Sequence, residues 1–428
     1  MNIAIVGKSC YTTTVSSKEL STTLSGHTMA FTRQLIPFLI HHRHRVALVS
    51  PCETAPEDSV IHEKNCLIPR SLKIAPFSTW QFPKVPTRDS SLSLLASLSE
   101  LNEEWGHIDY VLCVYCFPFL PVLETLKRYF NYKIVAFLRG GDGYKFLDFN
   151  FLRKQYNADD SARYIVDFYR YSLNQAEFVF CVSKWLRSKV ETLGVEVDDI
   201  IPSPALVEEP RLIHENCRNK KGFAELLRSS CTYGRLDPEK KWLTTSGRLS
   251  IDKRLDLAMK AFSRWKNDDW QLVITGVGPL ETNVTKCIQG YGENKICLVF
   301  VPPQRMATML RLADAYIHTA IPSGSFIDSR PSSVTSAAFY GKVVIFPQCK
   351  EGGAKESLSR SNIQYLGFRV FQDDADTAEE IASKLKLLDD KKLVASIEKA
   401  NRNFASSFGP RNIFGLVETY LIGGSRKS

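Results

Sequence analysis

The residues best suited to chemistry on an anion lie between Leu243 and Glu281, in the run LTTSGRLSIDKRLDLAMKAFSRWKNDDWQLVITGVGPLE. An apolar segment ends at Ser246-Gly247-Arg248-Leu249. Ser250 and Asp252 have the side chains of helix caps. Leu255, Ala258, Met259, Ala261 and Phe262 then recur at helical spacing. A second strand, Gln271 to Thr275, ends in Gly276-Val277-Gly278-Pro279. The spacing predicts strand, helix, strand, with turn residues closing both strands. Arg248 leaves the first strand, and Lys253 and Arg254 fall in the expected first helical turn, where the helix dipole disfavours cations. A bound anion removes that conflict, because free backbone N–H groups and two or three cations converge on it. A diphosphate at the carboxyl edge of a parallel sheet is the natural ligand. A solvated basic turn is the other reading of the same residues.

Positioning such a loop takes a doubly wound α/β scaffold, and the chain opens like one. Asn2–Gly7 is an apolar run ending in Gly. A Ser/Thr-rich loop leads to Ser25-Gly26-His27, a helix stripe follows at Phe31, Leu35, Ile36 and Leu39, and Arg45–Ser50 is a second strand. Gly26 either lets backbone N–H groups approach a phosphate or merely starts the helix. His27 reads as the helix's first residue. Pro51–Arg88 reads as irregular surface chain, Leu92–Trp105 as a helix, and Asp109–Tyr115 and Lys133–Leu138 as buried strands. Arg139-Gly140-Gly141-Asp142 follows the last of these, at the ligand edge of such a sheet; Arg139 is a site candidate there, or one half of an Arg–Asp pair closing a turn.

Asp160–Ala176 is an aromatic and basic helix, and Phe178–Ser183 a further strand. Glu208–Lys241 mixes charge, Pro and Cys like a linker with a short helix at Gly222–Leu227. Strands are expected at Ile296–Val301, Ala315–Thr319 and Leu366–Phe371, and helices at Met306–Asp314, Ala378–Leu388 and Leu393–Phe404. Phe408-Gly409-Pro410 breaks the chain before a last helix, Ile413–Leu421. The expected organisation is a domain at 1–205, a linker at 206–240, a second domain at 241–407, and a tail at 408–428 that returns to the first.

At 428 residues the chain has length for two domains. Its 44% hydrophobic and 24% charged content is ordinary for a soluble protein. A net charge of +9 suits an anionic substrate, a membrane surface or nucleic acid. No basic block with interleaved aromatics is present, so nucleic acid is excluded as the expected partner. No apolar run approaches the length of a membrane span, and the N-terminus opens on a strand rather than a signal sequence. The 11 Cys lack His partners at ligand spacing, which argues against zinc and for reduced thiols in the cytoplasm.

G-R-L-x-x-x-K, a helix, and then strand-G-x-G-P resembles the donor-binding half of family 4 retaining glycosyltransferases, which have the GT-B fold. The resemblance implies that Arg248 and Lys253 hold a nucleotide-sugar diphosphate, with Gly247, Gly276 and Gly278 beside it; Arg254 stands where that family often has Gly. Ile321–Ile345 resembles the family's E-x7-E region. Its first acid corresponds to Asp328, a substitution some subgroups share, with Pro331 and Ser333. Its second, which accepts from ribose hydroxyls in the family, corresponds to Ser336, an uncharged and weaker acceptor. Gly26 and Arg139 are implied to face the reaction from the other domain.

The resemblance thus implies two Rossmann-like domains facing a cleft and hexosyl transfer, with retention, from a nucleoside-diphosphate sugar to a hydroxyl acceptor. Polysaccharide or glycolipid synthesis is the implied setting. No metal or other cofactor is expected, because Arg248 and Lys253 themselves neutralise the leaving diphosphate. A cytoplasmic protein is expected, with peripheral contact at the inner membrane face permitted by the basic charge. The alternative is a degenerate homologue that binds a partner without catalysis, motivated by Ser25 and Ser336.

Overall fold

A computed structural model describes residues 1–7, 26–51, 66–72, 88–114, 116–139, 142–208, 217–291, 295–302, 305–321, 331–348 and 363–423. The chain forms two compact units. The first runs to Ser203 and resumes at Pro410; the second runs from Pro204 to Gly409.

The first unit is built on β1 (Asn2–Val6), α1 (Gly26–His41), β2 (Arg45–Pro51), β3 (Cys66–Leu72), α2 (Arg88–Trp105), β4 (Tyr110–Cys113), α3 (Cys116–Phe130) and β5 (Lys133–Leu138). There follow α4 (Asp142–Lys145), α5 (Phe149–Tyr156), α6 (Asp159–Asn174), β6 (Phe178–Cys181), α7 (Lys184–Glu191) and β7 (Asp199–Ile200). The strands form one sheet in the order β3-β2-β1-β4-β5-β6-β7, every pair parallel. Strands covered on both faces read as unbroken apolar runs, as Asn2–Val6 and Lys133–Leu138 do. β3 was not expected. It carries Pro69 and Arg70 on a sheet edge, where a missing N–H and a charge are tolerated. The chain goes outward from β1 to β3 and then returns to the other side of β1 as β4. At that reversal Gly7 lies so close to Val114 that a Cβ on it would meet the Val114 side chain at 2.4 Å.

The second unit comprises α8 (Lys220–Leu226), β8 (Cys231–Tyr233), β9 (Lys241–Ser246), α9 (Leu255–Trp265), β10 (Trp270–Thr275), α10 (Glu281–Gln289) and β11 (Ile296–Val299). It continues with α11 (Met306–Leu312), β12 (Ala315–Ile317), α12 (Ser332–Phe339), β13 (Val343–Pro347), β14 (Leu366–Phe368), α13 (Asp374–Lys386) and α14 (Lys391–Ala405). Its sheet runs β14-β13-β12-β9-β10-β11-β8, with only β8 antiparallel. The described part of the expected linker, from Cys217, is therefore built into this unit. Cys217, Phe223, Leu227 and Leu236 pack with Trp242, Val273 and Cys297 in one core. Sequence periodicity missed this because β8 spans only three residues and sits on the edge.

The last helix, α15 (Pro410–Gly423), belongs to the first unit. Phe414 packs edge-on against Phe31, and the Tyr110 hydroxyl donates to the Leu421 carbonyl at 3.1 Å. Glu418 bridges two histidines, reaching His42 Nδ1 with one oxygen and His44 Nε2, at 2.9 Å, with the other. Replacing Glu418 with Ala should cost about 1–3 kcal/mol, since it leaves the buried His44 without this partner. Glu418→Gln should cost less, and thermal unfolding of both variants measures the difference.

Candidate functional site

Order in the second sheet fixes where a ligand site belongs. From β9 the chain steps to β10 and β11 on one side, then returns to β12 on the other, so β9 and β12 flank the reversal. Beyond the carboxyl ends of strands at such a reversal the connections diverge and leave a crevice. A pocket lies there, lined by Thr245, Ser246, Gly247, Arg248, Lys253, Leu255, His318, Thr319 and Ala320. Both expected cations and Gly247 are therefore brought together.

Backbone contacts set the pocket's entrance loop. Gly247 and Gly276 have φ of 149° and 147°, a region that L side chains rarely adopt. A Cβ on Gly276 would fall 1.8 Å from the Gly247 carbonyl oxygen, and one on Gly278 2.5 Å from that of Leu249. The two turns are laced by Gly247 N–H to Thr275 O (3.1 Å), Leu249 N–H to Val277 O (3.0 Å) and Leu280 N–H to Leu249 O (3.0 Å). Gly276 and Gly278, expected beside the diphosphate, thus serve close packing of one turn on another.

The helix start differs from the expectation. Ile251–Lys253 is a single 3-10 turn and α9 begins at Leu255, so neither Lys253 nor Arg254 lies in its first turn. Arg254 holds a left-handed conformation (φ 46°) and turns its guanidinium to Asp256 (3.2 Å) and Asp374 (2.6 Å). That explains a cation at a position suited to Gly: its charge is spent on joining α9 to α13. Ser250 precedes the 3-10 turn and makes no side-chain cap bond. Asp252 instead faces the cations, 3.5 Å from Arg248 and 3.9 Å from Lys253.

Among the described residues, Asp252 approaches both cations at long range. Burial pushes the Arg248 guanidinium below its ordinary pKa, and Asp252 recovers only part of the loss. The Lys253 stem runs over Gly247, whose Cβ would lie 3.6 Å from Lys253 Cε, and the Thr319 hydroxyl donates to the Lys253 carbonyl at 2.9 Å. Beneath lies Tyr316, wholly buried, its hydroxyl 3.0 Å from Ser246 Oγ and donating to Ser333 Oγ at 2.8 Å. Burial raises the pKa of this phenol, so it remains neutral.

Ser333 is therefore part of the pocket's support. Ser336 is wholly buried in the middle of α12; its hydroxyl accepts from Leu206 N–H (2.8 Å) and donates to Ser332 O (2.6 Å). The hydroxyl is thus engaged inside the unit. Asp328 lies outside the described residues. Gly26 is the first residue of α1. Arg139, at the end of β5, is buried in the first unit; it donates to Ser203 Oγ at 2.7 Å and lies 3.8 Å over the Phe31 ring. Sequence reasoning missed His318 and Thr319. Their signal was a polar pair closing the apolar run that became β12.

Residues 234–404 match the model for glycosyl transferases group 1. That segment holds the whole pocket. The comparison with curated proteins returned no match. Among solved structures, the chain is similar to sucrose-phosphate synthase from Thermosynechococcus elongatus, with a TM-score of 0.69, 15% identity, and coverage of 99% of this chain and 100% of that one. It is also similar to the Anabaena protein HepE in complex with UDP-glucose (TM-score 0.63, 14% identity, 99% and 100% covered). A third is the trehalose 6-phosphate synthase of Burkholderia multivorans (TM-score 0.58, 11% identity, 99% and 98% covered). These likenesses show the GT-B fold with two Rossmann-like domains. With the matched domain they support a glycosyltransferase.

The packing of the two turns makes a direct test. Gly276→Ala should lower stability by at least about 1–3 kcal/mol, the cost of one strained backbone position, with the steric clash added. Ser336→Ala should cost about 1–3 kcal/mol by orphaning the Leu206 N–H, and Ser336→Glu should cost more, since it places a carboxylate in a closed space. Chemical denaturation of the three variants checks both statements.

Proposed function

We propose that this chain is a retaining glycosyltransferase that moves a hexosyl group from a nucleoside-diphosphate sugar to a hydroxyl acceptor without a metal. The carrying observation is the pocket at the β9/β12 reversal, which brings Arg248 and Lys253 together, with Asp252 near both. As the bond to the sugar breaks, negative charge grows on the diphosphate. Two fixed, half-desolvated cations stabilise that charge more than they stabilise the intact donor. Asp328 is assigned to the donor sugar. The HepE complex with UDP-glucose makes UDP-sugars the first donors to test. The net charge of +9 fits a cytoplasmic enzyme working at the inner membrane face on a lipid-linked or polysaccharide precursor. No helix among the described residues is long and apolar enough to cross a membrane.

A second reading, a homologue that binds a sugar nucleotide or partner without turnover, is favoured by Ser336. Where the resembling family has an acid, this chain has a hydroxyl engaged internally. Turnover separates the readings: the first requires product from a donor and acceptor pair, the second binding alone.

Arg248→Ala and Lys253→Ala should each weaken nucleotide-sugar binding about ten- to a hundredfold, the worth of one charge-assisted bond. Turnover should fall at least as far, and melting temperature should change little. Calorimetry with UDP-, GDP- and ADP-sugars, beside thermal melts, measures all three. Variants that bind the best nucleotide sugar as tightly as wild type sink the assignment. Turnover should also survive EDTA; loss in chelator with recovery on adding Mg²⁺ or Mn²⁺ rules out the metal-independent mechanism.

A further inference from the structure

At the β8 edge of the second sheet, two cysteines lie against each other. Cys231 opens the edge strand β8, and Cys297 lies within β11 beside it. The Cys297 S–H donates to Cys231 Sγ, with the sulfurs 4.0 Å apart and 66 positions between them in sequence. Their surroundings differ. Cys297 is wholly buried in the core with Phe223, Trp242 and Val273, whereas Cys231 is only half-buried. As a thiol, Cys231 donates in turn to the Leu227 carbonyl at 3.5 Å. The strand that carries it can adjust. β8 is three residues long, has a neighbour on one side only, and shifts register against β11 between Leu298 and Val299.

We propose that Cys231 and Cys297 are a hydroperoxide-responsive thiol pair, in which Cys231 is the attacking sulfur and Cys297 resolves the oxidised intermediate as a reversible disulfide. Half-exposure lets an oxidant as small as hydrogen peroxide reach Cys231, while Cys297 is out of its reach. The S–H of Cys297 stabilises negative charge on Cys231 and, with the Leu236 N–H, brings its pKa down to about 7 against the effect of burial. The donated bond and burial push Cys297 up, so it keeps its proton. The thiolate, the form that attacks, is therefore abundant on Cys231 at neutral pH.

The chemistry closes in two steps. The Cys231 thiolate attacks one peroxide oxygen, the O–O bond breaks, and the leaving hydroxide takes up a proton as water; Cys231 is now a sulfenic acid. The Cys297 sulfur then attacks the Cys231 sulfur, the S–O bond breaks, and the hydroxyl leaves as water with the Cys297 proton. Two thiols and one hydrogen peroxide give one disulfide and two waters. Bonded sulfurs stand about 2.05 Å apart, so the pair has to close by about 2 Å, through side-chain rotation and a small movement of the edge strand.

The test uses the reduced full chain, treated with a small excess of hydrogen peroxide at pH 7 and mapped by mass spectrometry without reductant. The peptides of Cys231 and Cys297 should be recovered joined, and dithiothreitol should separate them. In Cys297→Ser and Cys297→Ala the sulfenic acid on Cys231 has no resolving thiol, so dimedone should label Cys231 there and leave it largely unlabelled in wild type. Cys287, exposed on α10, is the internal comparison: it should oxidise more slowly than Cys231. The proposal is overturned if wild-type Cys231 accumulates as the dimedone adduct or the sulfinic acid, if it links to a cysteine other than Cys297, or if Cys287 reacts while Cys231 does not. Should both Cys297 variants misfold, the wild-type map still decides.

Discussion

The second unit depends on a place where two backbone turns touch with no side chain between them. Gly247 and Gly276 meet at a separation that excludes any Cβ, and hydrogen bonds run between the turns on both sides of the contact. Parallel strands end level at this point, so the turn after β9 is held by the turn after β10 and the direction in which Arg248 departs is fixed. Lys253 returns over the same glycine. Main-chain geometry thus contributes to placing the cations. Preorganisation of this kind matters for charge stabilisation, because a donor or cation that has to move into place loses part of its effect to reorganisation.

Beneath that loop the unit is joined by short polar links in an apolar setting. Tyr316 ties the end of β9 to the start of α12 through Ser246 and Ser333. Thr319 ties the end of β12 to Lys253, and Ser336 ties α12 to the chain where it enters the unit. Of these hydroxyls, those of Ser246 and Thr319 line the pocket. Among the described residues, Asp252 approaches both of its cations.

Much of the scaffold was legible because parallel strands buried on both faces cannot alternate polar and apolar residues. Lys133–Leu138 and the Trp270–Thr275 strand announce themselves in this way. Edge strands escape that rule: β3 carries Pro69 and Arg70, and β8 is three residues long within a charged stretch. Arg248 and Lys253 were legible through spacing alone. The helix start was misread because Arg254, a residue that ordinarily favours a helix, adopts a left-handed conformation here and spends its charge on Asp256 and Asp374. Ser336 was assigned by position in a resembling pattern, and nothing in its type discloses that its hydroxyl is taken up by Leu206 and Ser332. His318 looked like one polar residue at the end of an apolar run, and only the strand order places it beside the cations.

The chain enters and leaves the second unit at neighbouring points, the Ala205 N–H donating to the Phe408 carbonyl at 2.8 Å. Topologically the second unit is an insertion into the first, whose final helix lies more than 200 residues beyond the strands it covers. On the ribosome, the inserted unit is complete while the host still lacks α15. Phe31, Tyr110 and His44 then wait with uncovered surface until the last residues emerge. Loss of α15 therefore uncovers Phe31, Tyr110 and His44 in the first unit and removes no residue that lines the anion pocket.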